Sequence, residues 1–157
     1  MTAKQPVEMP RSHEHMAVRF AHDAETFTNA AKSLSDFRTF GPRYYLFCHA
    51  IELILKSYIL ASGGDQSELR DLGHNLVKAF KRAKELGFMP AEKDLKLFVD
   101  WLNPYHRDHE FRYPKQGFKQ VPVAENLIPV IEGTHKQIEA VARNAFLKAN
   151  PPPQASS

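Results

Sequence analysis

An all-α, up-and-down bundle of about five helices, with a short β-hairpin before the last of them, is the fold this sequence predicts. Three observations carry that prediction. Apolar residues recur at helical spacing in five stretches, Gly and Pro punctuate the chain between those stretches, and one segment of more than twenty residues before the last stretch loses the helical period. The chain has 157 residues, 43% hydrophobic and 25% charged, so it fits one domain that buries roughly 70% of the surface its unfolded form exposes.

The first helix is expected from about Ser12, a good N-cap, with Met16, Phe20, Phe27, Ala31 and Leu34 at helical spacing, and it should end before Gly41-Pro42. Pro42 then suits the first position of a second, central helix that runs to Gly63-Gly64. A turn over Asp65 to Gly73 leads to a third helix from His74 or Asn75, with Leu76, Phe80 and Ala83 inward and Lys78, Lys81, Arg82 and Lys84 outward. A fourth helix opens at Pro90-Ala91, carries Leu95, Phe98, Val99 and Leu102, and is expected to end at Pro104. The fifth runs from about Glu125 to Lys148, with Pro129 setting its ordered start at Val130. Between the last two, EFRY and FKQV flank PKQG, which suggests the hairpin from about Glu110 to Val121. Residues 1–11 and 150–157 are polar or proline-rich and are expected to be a flexible N-terminus and a disordered tail around a domain of residues 12–149.

The bulk numbers exclude little. The single Cys48 rules out an internal disulfide, and its place on the apolar face of the central helix reads as a small buried hydrophobe. The first ten residues lack the apolar run of a secretory signal, and Tyr44 to Leu60 carries His49, Glu52 and Lys56 where a bilayer would make each expensive, so a cytoplasmic protein without a membrane span is expected. A net charge of +3 permits nucleic-acid binding without demanding it.

The chemistry starts in the central helix. His49, Glu52 and Lys56 are spaced by three and four residues, so they form one polar stripe on an otherwise apolar helix. Exposed, Glu52 and Lys56 would be a minor i,i+4 pair; buried, they need each other and further partners, for which His74 and Arg112 are the candidates.

AIELILK at residues 50–56, followed by LRDLGHNL at residues 69–76, resembles the bacterial HEPN-like helical-bundle family, in which an Ala-Ile-Glu-Leu…Leu-Lys helix precedes a Gly-His-Asp/Asn-Leu turn. The likeness covers about a third of the chain closely and extends to FRYP at residues 111–114. It implies an all-α bundle, often dimeric, in a superfamily that includes RNA-cleaving toxins and RNA- or nucleotide-binding modules. Catalytic members carry Arg, four to six residues, then His. Arg43 with His49 is one such match, and nine Arg and eight His would give about one by chance.

The expectation is a non-enzymatic binding or interaction module for RNA, a nucleotide or a partner protein, homodimeric or paired with another chain. Its ligand site is Glu52, Lys56, His74, Arg112 and Tyr113, and its nucleic-acid surface is Arg107, Arg112, Lys115 and Lys119, interleaved with aromatic rings. One alternative is a metal-independent ribonuclease of toxin or phage-defence type using Arg43, His49 and His74; another is a protein-only dimerisation scaffold. His106 and His109 stand three apart in a Pro-bounded loop with no evident further ligands, and no phosphate-cradling glycine loop is present, so no metal and no cofactor are expected.

Overall fold

The structure, a computed structural model, describes residues 6, 12–117 and 119–155. Among them it is all-helical: α1 (His13–Ser33), a 3-10 turn (Phe37–Thr39), α2 (Phe40–Ala61), α3 (Gln66–Leu72), α4 (Leu76–Glu85), α5 (Leu95–Arg107) and α6 (Ala124–Ala149). That is six helices where the sequence suggests about five. The expected flexible N-terminus lies outside the described residues except for Pro6, as do the last two residues of the tail; Pro151 to Ala155 follow α6 without helix and exposed.

Ser12 caps α1 as expected, its hydroxyl accepting from His15 N. The helix stops at Ser33, before Gly41 as expected, because Asp36 offers the chain a local alternative. Its carboxylate accepts from Arg38 N at 2.8 Å and caps the 3-10 turn that feeds α2. The buried face of α1 is Ala17, Ala21, Ala24, Thr28 and Ala31, with Met16, Phe20 and Phe27 only half-buried at its margins. Such a small-residue face lets α2 approach closely. Ser57 Oγ donates to Ala17 O at 2.6 Å near one end, and Arg43 Nε donates to Ala31 O at 3.1 Å near the other, which makes the two helices antiparallel.

α2 is the core helix, buried on nearly every side from Tyr44 to Leu60. Phe37–Ala61 is long and apolar enough to cross a membrane by length and composition, and 72% of its most apolar window is covered by the rest of the protein. α6 closes the first layer antiparallel to α1, with His135 Nε2 2.8 Å from Ala21 O and Lys32 paired to Glu132. It runs unbroken through Pro129, whose ring sits on the exposed face, so the missing N–H leaves no buried carbonyl orphaned.

α4 and α5 form the second layer. The expected turn at Asp65 to Gly73 is instead the short α3, capped by Asp65 accepting from Glu68 N and stopped by Gly73 at φ +54°. α5 starts at Leu95, not at Pro90, and continues through the exposed Pro104 to Arg107. The hairpin is corrected as well. No strand occurs among the described residues; after α5 the chain coils through successive turns, with Glu110 N on Tyr105 O and Tyr113 N on His109 O, both 2.8 Å. Phe111 is buried against Tyr44 and Tyr105, and Gln120 N donates to Tyr105 Oη, so these groups are engaged on the helices rather than in a two-stranded ribbon. Phe118 lies outside the described residues. Gly41 is required where this loop crosses the start of α2: a Cβ there would lie 2.9 Å from the Phe111 carbonyl oxygen.

Candidate functional site

The polar stripe of α2 becomes the hub of a buried cluster. Glu52 is 4% exposed, and each of its oxygens is engaged. Oε1 accepts from Lys56 Nζ at 2.7 Å, one helical turn on, and the same ammonium donates to Gly73 O at 2.7 Å. Oε2 lies 2.7 Å from His106 Nε2 and 3.2 Å from His74 Nδ1. Three elements therefore meet on one carboxylate: α2, the α3–α4 turn and the last turn of α5.

Burial alone would raise the Glu52 pKa. The hydrogen bonds of His106 and Lys56, the approach of His49 and the Lys56 charge outweigh it and hold the carboxyl well below the usual range. His49 Nδ1 lies 3.8 Å from Oε2, too far for a hydrogen bond, and is buried without a partner. Its ring is held between the edge-on Phe27 and a parallel Tyr45.

The rim is built from imidazoles, rings and one guanidinium. His74 and His109 meet edge to face at 4.9 Å between centroids, and His109 adopts φ +59°. Partial desolvation, then the neighbouring His74, Arg112 and His106, lower the His109 pKa. Arg112 lies over both Tyr45, at 5.6 Å, and the exposed Tyr113, at 5.5 Å. An open cleft of about 310 Å³ between α1, α2 and α3 is lined by Glu52, Lys56 and Arg70 among others.

The structure brings Glu52, Lys56 and His74 together as the sequence suggests. Arg112 does not join Glu52; it stays at the rim on aromatic faces. The expected nucleic-acid surface is partly offset by its own carboxylates: Lys115 and Lys119 both approach the single Glu110, at 3.9 and 4.0 Å, and Arg107 pairs with Asp108. Arg43 and His49 do not form a pair. Arg43 is spent on Ala31 O and the Phe47 ring, while His49 faces Phe27 and Tyr45, as six positions on one helix require. Burial pushes the Cys48 thiol well above its ordinary pKa, in keeping with a packing role.

His106 is the cluster residue that the sequence places wrongly, in a loop beside His109 rather than on Glu52. Its signal is the run Leu95, Phe98, Val99, Leu102, Asn103 and His106, all buried on one face of α5. Ending the helix at Pro104 hides that register. Comparison of the chain with family models, with curated proteins and with solved structures finds no match in any of the three.

Proposed function

We propose that the chain is a HEPN-like binding module that takes a nucleotide unit of single-stranded RNA at the rim of the Glu52 cluster. One observation carries the reading: Arg112 lies over Tyr45 and the exposed Tyr113 on the segment that also carries His109, whose ring meets His74. An exposed ring can stack a base, the guanidinium can neutralise a phosphate, and the imidazoles can hydrogen-bond ribose or phosphate oxygens. The family likeness gains support from geometry, because its two halves meet at this site, Lys56 on Gly73 O and His74 on Glu52.

Fluorescence anisotropy of a labelled single-stranded RNA, titrated at low and moderate salt, tests the proposal. Base stacking contributes about 1–3 kcal/mol, so Tyr113→Ala should weaken binding roughly tenfold. Arg112→Ala should also lower the salt slope by about one phosphate contact. An RNA that the wild-type protein does not bind at either salt overturns the reading.

A ribonuclease is the second reading, favoured by the contact between His74 and His109, two imidazoles that could serve as general acid and base. Shortened RNA on a denaturing gel, lost on His74→Ala, would establish it in place of simple binding.

A further inference from the structure

The geometry points to a divalent transition-metal site, of the class taken by zinc, built from Glu52 Oε2, His74 Nδ1 and His106 Nε2. This goes beyond the nucleotide reading and does not rest on it.

The three donor atoms lie within 4.8 Å of one another, and the two printed approaches to Oε2 are 2.7 and 3.2 Å. Zinc at about 2.0–2.1 Å from nitrogen and oxygen donors sets tetrahedral neighbours about 3.3 Å apart, so the His106 approach to Oε2 must open by about 0.6 Å and the His74 approach by about 0.1 Å, with the two imidazole nitrogens within 4.8 Å of each other. Two imidazoles and one carboxylate, with a further position open to water, is a set that suits borderline first-row ions rather than calcium or magnesium. The half-exposed His74 gives an ion a path in, while Glu52 and His106 provide a buried floor.

The surroundings supply the outer shell such a site needs. Lys56 binds Oε1 and leaves Oε2 to the ion, and its second bond to Gly73 O ties it to the turn carrying His74. His49 Nδ1, buried and unpartnered, adds a further polar atom 3.8 Å from Oε2. Proton balance is simple. Without metal each imidazole nitrogen bonded to Oε2 carries the proton; on binding, a neutral ring moves it to its other nitrogen and a protonated ring releases one, so each presents a lone pair.

The test is a titration of the full chain, stripped with chelator, with cobalt(II) followed by its visible absorption, and without RNA. The expected result is a tetrahedral-type spectrum saturating at about one equivalent, displaced by zinc. Outer-shell changes typically cost 10–100-fold in affinity, so His74→Ala and His106→Ala, which remove ligands, should each cost roughly 100-fold or more. His22→Ala, at a remote exposed histidine, should change nothing. His74 is half-exposed, so its variant decides the matter should His106→Ala misfold. No spectrum from the wild type, or equal affinity in His74→Ala, overturns the site. RNA affinity that survives chelator alongside either cobalt outcome separates this inference from the nucleotide reading.

Discussion

Lys56→Met should lower the folding stability by about 3 kcal/mol, read as a shift of the urea midpoint at unchanged slope. Removing one partner of a buried ion pair costs about 3–5 kcal/mol, because the remaining charge keeps its desolvation penalty. The lower end applies here, since the Lys56 side chain is 12% exposed and His106 and His74 still face the stranded carboxylate. The Gly73 carbonyl also loses its donor. Adding Glu52→Gln should recover part of the loss, as the uncompensated charge goes. The effect has a defined pH sense. The depressed Glu52 pKa contributes stability that is fully present above the unfolded value of about 4.3 and fades as pH falls below it. In the variant that contribution is already reduced, so wild type and variant should converge in acid. A gap that stays constant into acid would mean that the lysine stem, not its charge, matters.

Asn103→Ala should cost about 2 kcal/mol by the same measurement. At the start of α4 every donor is accounted for: Asn75 N bonds Leu72 O, Lys78 N bonds Asn75 Oδ1, and both Leu76 N and Val77 N donate to Asn103 Oδ1 from α5, at 2.7 and 3.4 Å. Truncating Asn103, itself 7% exposed, leaves the buried Leu76 N–H without a partner. Asn103→Asp keeps the acceptor and should lose less. Equal losses in the two variants would assign the effect to packing.

How much of this was legible in the sequence depends on the kind of signal. The polar stripe of α2 was readable because Glu52 and Lys56 contradict an apolar helix at a spacing that sets them on one side. The role of His74 followed from Gly73 and the neighbouring turn. The small-residue face of α1 was not readable, since alanine barely registers as hydrophobic and the larger Met16, Phe20 and Phe27 drew the eye to the margins of the interface. The short α3 fell below the length at which periodicity declares itself, although Asp65 and Glu68 form its cap. Prolines misled at both Pro104 and Pro129, where an exposed ring forfeits one solvent-side hydrogen bond and leaves the helix intact. Ending α5 at Pro104 sets His106 in a loop beside His109 and so conceals its place on the buried face, where it completes the cluster.

The cap that α5 lends to α4 also decides how the two helices breathe. Leu76 and Val77 belong to α4, yet their amide protons rest on a side chain of its neighbour. Native-state hydrogen exchange at these two amides should therefore report the local opening of α5, while Lys78, capped from within its own chain segment by Asn75, reports α4 alone. Since α5 is also held through His106 on Glu52, whatever tightens or loosens that carboxylate should be read at Leu76, on a different helix, before any other part of α4 responds.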